Sequence, residues 1–370
     1  MVPERNRRID LIRGIAVFGM IFVNTKYLFA TQGSGDDWLA SLSNLLDGRP
    51  AALFIVLAGI GVSLMACRGK NRVDLKSCRA NLLKRAVVLF IAGLILLRYW
   101  TADILHFYGV YLLFGAVLVG MGNRLLAFLS AALLLASIWI HFAPDLDLFP
   151  SLEAECSGFL ACSWIFVSDV FLTGCYPVVP CLGLFVFGNW IGRHDLSSQG
   201  FRHKLFIIGL LSLTAATVAQ EILIGNWSIG SMAMGLDADF FLISADPFPP
   251  SAFYLLSAGG ISLLIIAGCC GLSETQMRSR WLVAICDAGR VSLSIYVIHI
   301  MVCGYYVEIK EVLEGDYTLP QTILIAALWC VGAVAAARMW LKQFSYGPLE
   351  WGLRAISRSL IAAKPLPMTN

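Results

Sequence analysis

Residues 9–30 read IDLIRGIAVFGMIFVNTKYLFA. The run is apolar enough to enter a lipid bilayer, yet Asp10 and Arg13 lie near one end and Asn24 and Lys26 near the other. Arg13 and Asn24 are eleven residues apart. On a helix that is about three turns plus roughly 20°, so the two share a face and are separated by about 16 Å along the axis. Polar groups at membrane depth are costly and face the protein interior or a wet cavity. The segment reads as one wall of a site that runs through the membrane.

Composition agrees with a membrane-embedded chain. Of 370 residues, 58% are hydrophobic and only 14% charged, whereas soluble domains carry about 25% charged residues. No cleavable signal peptide is evident, because the first apolar run is long, interrupted by polar groups and lacks a small-residue cleavage site. The eleven cysteines fall mostly inside apolar runs without metal spacing, and most read as small buried hydrophobes. Cys156 and Cys162 share an outer loop, where a disulfide is an alternative.

A bilayer crossing needs about 20 apolar residues. Ten stretches qualify, at 9–30, 49–67, 82–100, 102–122, 124–143, 174–193, 204–225, 251–272, 283–307 and 319–341. Residues 157–173 are too short and broken to count, and read as interfacial or re-entrant. Arg5, Arg7 and Arg8, the cluster from Arg68 to Arg85, and Arg354, Arg358 and Lys364 alternate with acidic loops such as Asp145–Glu155 and Glu308–Asp316. That bias predicts an all-α, polytopic helix bundle over 1–346 with about ten crossings, both termini cytoplasmic, and a short cytoplasmic tail over 347–370. Gly59, Gly61, Gly259 and Gly260 are expected to allow close helix packing. The basic second loop has no interleaved aromatics, which argues against nucleic acid, and no metal motif is present.

The intramembrane polar residues fall into two tiers. The inner tier holds Asp10 and Arg13, with Asp287 and Arg290 on the ninth crossing. It reads either as ion pairs and snorkelling arginines or as an anion site for phosphates, for which arginine is the preferred fork. The outer tier holds Asn24, Lys26, Arg49, Asp103 and His106, with His299 deeper. Asp103 and His106 are spaced i, i+3, which suits a carboxylate-oriented general base or an interfacial contact at a helix N-terminus. On one continuous ninth helix, His299 would lie about 180° from Arg290, so the two would not serve one cavity face. A lone histidine there is also compatible with a hydrogen-bonded core residue.

Several segments together resemble a known family. RRIDLIRGIAVFGMIFVN (7–24), LFIVLAGIGVSLM (53–65), YWTADILHFYGVYLL (99–113), TGCYPVVPCLGLFVFGNWIGR (173–193), GRVSLSIYVIHIMVCGYY (289–306) and FSYGPLEWGLRAIS (344–357) occur in order. They are similar to YeiB-like membrane proteins and heparan-alpha-glucosaminide N-acetyltransferase-like proteins, with Gly347-Pro348-Leu349-Glu350-Trp351 the most distinctive part. The resemblance implies a transmembrane acyltransferase superfamily whose members move an acyl group, commonly acetyl from acetyl-CoA, onto an acceptor across the membrane. Arg13 and Asn24 match positions that the acetyltransferase branch uses in its acyl-CoA pocket. That branch has a catalytic histidine between its first two crossings, and Thr31–Pro50 contains none. YeiB-like chains often carry a histidine late in the third crossing, near Ile95 here, and commonly show glutamine where this chain has His299.

The expected activity is therefore acyl transfer from cytoplasmic acyl-CoA to a hydroxyl or amine of a cell-envelope or sugar-like acceptor, in a bacterial inner membrane. Arg13, Asn24, Arg290 and Arg85 are the candidate acyl-CoA contacts, and Lys26 and Arg49 the candidate acceptor contacts. His106, oriented by Asp103, is the first candidate base and His299 the second. The alternatives are a transporter or channel for a small anion or metabolite, and a non-catalytic membrane partner protein. Neither inverted repeats nor broken helices, the marks of many transporters, are evident. A homo-oligomer is a further possible assembly.

Overall fold

The computed structural model describes residues 6–30, 37–66, 75–141, 158–234, 247, 250–310 and 317–359. They form fourteen α-helices: α1 (Arg7–Phe29), α2 (Asp37–Asn44), α3 (Arg49–Ala66), α4 (Leu75–Leu96), α5 (Leu105–Leu118), α6 (Asn123–His141), α7 (Phe159–Ser168), α8 (Val178–Ile191), α9 (Gln199–Met234), α10 (Ala252–Gly271), α11 (Arg280–Arg290), α12 (Ser292–Lys310), α13 (Leu319–Leu341) and α14 (Pro348–Ser359). Extended structure among the described residues is limited to one bridge between Ala30 and Tyr317.

Local chemistry explains where the main helices begin. Asn6 caps α1, its side-chain oxygen accepting from the Arg8 and Ile9 N–H groups at 3.1 and 3.4 Å, which satisfies donors that have no partner within the helix. Ser251 caps α10 in the same way, accepting from the Tyr254 N–H at 3.0 Å. At α13, Gln321 reaches back to the Thr318 N–H at 2.9 Å, and Pro320 suits the first turn.

The central helix is α1, which packs against α3, α10, α11, α12 and α13. About 61% of its membrane-length window is buried, against 17% for α9 and 22% for α13; the last two therefore form the lipid-facing periphery. Glycines decide where helices touch. A Cβ on Gly289 would collide with the Asp10 carbonyl, and one on Gly14 with the Ile285 carbonyl, so α1 and α11 meet backbone to backbone. Gly59 of α3 lies against Phe185, and Gly188 of α8 against Val56, giving a second such crossing; Gly260 meets Gly209 at the α9–α10 contact. Gly61, expected to pack, instead faces open space.

Among the described residues, five helices are long and apolar enough to span a membrane, and up to seven spans result if each of two bent pairs counts as one, against the ten expected. Helix α4 falls outside this set because Lys76, Arg79, Lys84 and Arg85 occupy its first half. Helix α5 has 14 residues, about 21 Å against a hydrocarbon core of about 30 Å. The stretch read as too broken to span forms α7 and one π-helical turn over Asp169–Thr173, then bends by 47° into α8. The ninth crossing is not continuous: it breaks at Val291 into α11 and α12 with a bend of 74°. The acidic stretches Asp145–Glu155 and Asp237–Asp246 lie outside the described residues.

Candidate functional site

The start of α5 carries an enclosed polar group. Asp103 and His106 are both fully buried. Asp103 acts first as a helix cap: its Oδ2 accepts from the Leu105 N–H at 2.8 Å and from the His106 N–H at 3.4 Å. The same oxygen stands 3.5 Å from His106 Nδ1, so the imidazole is held with Nδ1–H toward the carboxylate. Its other oxygen accepts from the Tyr296 hydroxyl at 2.9 Å, and that hydroxyl receives the Ile104 N–H at 3.3 Å. Tyr296 comes from α12, 193 positions away in the chain.

His106 is wedged between aromatic rings, Phe107 at 4.0 Å and Phe166 at 6.5 Å between centroids. Gly93 lets α4 press against its backbone, where a Cβ would lie 2.7 Å from the His106 Cα. Within this tight cage His106 Nε2 has no hydrogen-bond partner among the described residues. An unsatisfied buried polar atom costs about 1–3 kcal/mol. Nδ1 is the ring nitrogen beside Asp103, and Nε2 is the one left without a bond among the described residues.

The other candidates divide into groups. Lys26 pairs with Asp47 at 2.7 Å and Asn44 at 2.6 Å. Arg49 donates to the Asp47 carbonyl at 2.8 Å and to Ser257 at 3.5 Å, and lies 5.6 Å from the Tyr254 ring centre. Lys26 and Arg49 are thus gathered around Asp47, a residue the sequence reading did not single out. Asn24 is buried on α1, and its Nδ2 has no partner among the described residues.

On the other side, Arg13 pairs with Asp10 at 3.3 Å, and Arg290 with Asp287 at 3.5 Å; Arg338 shares Asp287 at 3.7 Å. Arg13 follows Asp10 and precedes Gly14, and Arg290 follows Gly289, so both flank the α1–α11 crossing. Arg85 of α4 donates to Met65 Sδ at 3.4 Å.

His299 has a different setting. Its Nδ1 lies 3.6 Å from Cys303 Sγ and its ring meets Trp329 edge-on at 5.0 Å; among the described residues Nε2 has no partner and no carboxylate bonds the ring. The expectation that it opposes Arg290 around one helix fails, because the two stand on different helices at 74°. Instead His299 follows Tyr296 by one turn of α12, so α12 carries both the third member of the Asp103 network and the second histidine.

Two sequence signatures turn out to be structural devices. Arg193 points back to the end of α5, donating to the Leu118 and Val119 carbonyls at 3.3 Å and to the Met121 carbonyl. Glu350 caps α12 at the break: Oε1 accepts from the Leu293 and Ser294 N–H groups at 2.8 and 3.2 Å, and Oε2 from the Ser294 hydroxyl at 2.5 Å. Cys162 is disulfide-bonded; Cys156, its candidate partner, lies outside the described residues.

The comparisons with known proteins fit this geometry. Residues 5–229 match the model of the heparan-alpha-glucosaminide N-acetyltransferase catalytic family, and residues 193–359 match that of a protein of unknown function, DUF418. The chain is also 23% identical to an uncharacterized 39.9 kDa protein in the amylase 3' region of Bacillus acidopullulyticus, over 96% of this chain and 94% of that protein. The first match spans the Arg13, Asn24 and Asp103–His106 elements, and the second α10 to α14 with Tyr296 and the Glu350 cap. The chain is a multi-pass membrane protein of the YeiB-like family related to heparan-alpha-glucosaminide N-acetyltransferase.

Proposed function

We propose that the protein transfers an acyl group, most simply acetyl, from acyl-CoA to a hydroxyl or amine of a cell-envelope or sugar-like acceptor. The observation that carries this reading is the buried Asp103–His106–Tyr296 network with His106 Nε2 unpartnered. His106 Nε2 takes the proton from the acceptor as its oxygen or nitrogen attacks the thioester carbonyl. Asp103, fixed by Tyr296, stabilises the imidazolium that forms. The unpartnered Asn24 Nδ2 is a donor for the tetrahedral oxyanion. When the intermediate collapses, the C–S bond breaks and the imidazolium returns its proton to the departing thiolate, leaving acylated acceptor and CoA. Arg13, Arg85 and Arg290 suit the CoA phosphates, for which they exchange or share their present partners. The acyl-CoA side is taken as cytoplasmic, in a bacterial inner membrane.

Titration calorimetry with acetyl-CoA on the purified protein tests the donor. Binding is expected, and Arg13→Ala should weaken it about ten-fold, the loss of one charge-assisted contact worth about 1.5 kcal/mol. Absence of heat with the wild type removes the enzyme reading.

A transporter for a small anion is the second reading. The 47° and 74° bends favour it, since discontinuous helices recur at transporter substrate sites. Uptake of a labelled anion into proteoliposomes, abolished by Arg290→Ala and insensitive to His106→Ala, would select it.

A further inference from the structure

Where α1 ends, a cavity of about 230 Å³ lies between α1, α12 and α13. The chain builds it with aromatic rings that cannot fill the space they enclose. Tyr317 donates its N–H to the Phe29 carbonyl at 3.0 Å, which sets the Tyr317 ring edge-on to Phe29 at 5.8 Å, with Tyr306 edge-on at 6.1 Å. Phe29 and Cys303, both buried, form the floor, and Trp329 forms the far wall. At the mouth, Val302 and Tyr306 are 48% and 40% exposed.

The mouth opens onto an apolar surface. Ile298, Met301 and Tyr305 of α12, and Leu324, Leu328 and Val331 of α13, are all exposed beside it. On a membrane protein such a belt faces lipid. Among the described residues at the rim, the hydroxyls of Tyr306 and Tyr317 pair 3.2 Å apart, and tyrosine is enriched where hydrocarbon meets headgroups. An apolar cavity of about 150 Å³ stays dry and takes benzene, so this one accommodates several methylene groups.

We propose that the cavity is a binding site for one acyl chain of a membrane glycerolipid, entering sideways from the bilayer between α12 and α13. The Tyr306 and Tyr317 hydroxyls stand where the lipid's ester carbonyls would lie. The site goes beyond the transfer chemistry and needs none of it.

Full-length protein in nanodiscs of phosphatidylcholine carrying a diazirine on one acyl chain provides the test. After irradiation, adducts mapped by mass spectrometry are expected to concentrate on Val302–Tyr306 and Ile325–Trp329, well above the equally lipid-exposed Ile207–Leu211 face of α9. Cys303→Phe fills the floor and Val302→Trp, at the exposed rim, blocks the mouth; each should bring labelling of the cavity down to the α9 level while α9 labelling is unchanged. Equal labelling of the two faces in the wild type, or enrichment that persists in the folded Val302→Trp variant, overturns the proposal.

Discussion

Replacing Glu350 by alanine probes how a tail helix fixes a helix break deep in sequence. The carboxylate accepts from two backbone N–H groups of the first turn of α12 and from the Ser294 hydroxyl, at 2.8, 3.2 and 2.5 Å. Net hydrogen bonds to a charged group contribute about 1.5–3 kcal/mol, and losing an N-cap costs about 0.5–2 kcal/mol. Glu350 is half-buried, so water replaces part of what is lost, and the expected net destabilisation is about 2 kcal/mol. For a chain of this size that corresponds to a fall in melting temperature of roughly 4–8 °C or less, since about 1 kcal/mol shifts it by 2–4 °C in domains of 150–250 residues. Glu350→Gln retains an acceptor for one of the N–H groups and should recover about half of the loss. Thermal unfolding in detergent micelles reads the difference. An unchanged melting temperature for Glu350→Ala would show that Glu350 does not hold the α11–α12 break.

Further outcomes follow from the same contacts. Tyr296→Phe removes the hydroxyl that fixes Asp103 Oδ1; acyl transfer should fall by about ten-fold, the worth of one charge-assisted hydrogen bond, with acyl-CoA affinity retained. Gly289→Ala drives a Cβ into the Asp10 carbonyl and separates α1 from α11; overpacking of this kind costs about 1–3 kcal/mol or more, seen as a lowered melting temperature, whereas Gly61→Ala, facing open space, should leave it unchanged.

The parts of the molecule that could be read from sequence are those governed by near neighbours. The apolar run of α1 with its buried Asn24, the i, i+3 spacing of Asp103 and His106, and the Asp10–Arg13 and Asp287–Arg290 pairs are all local geometry on one helix. What escaped the sequence depends on distant partners. Nothing near residue 291 signals a break in an apolar stretch, because the cap that permits it arrives from Glu350, 57 positions after Leu293. The third member of the histidine network, Tyr296, is an ordinary residue of an apolar helix until the fold brings Asp103 beside it. Lys26 looked like a free acceptor contact because its partner Asp47 sits in the connection before α3, where no periodic pattern fixes position. The bends escaped for a related reason: hydropathy sums apolar length but does not report direction, so the ninth apolar stretch gave no sign that it divides into α11 and α12.

The central claim is that His106 is the base of an acyl-transfer site. Its most direct test is turnover of radiolabelled acetyl-CoA by the protein in proteoliposomes, with transfer of the acetyl group to water or a supplied amine and release of CoA as the readout. The wild type should turn over, and His106→Ala should lose about 10²–10⁴ in rate, the usual contribution of a positioned base, while binding acetyl-CoA as tightly as the wild type. Turnover by His106→Ala equal to that of the wild type would contradict the account.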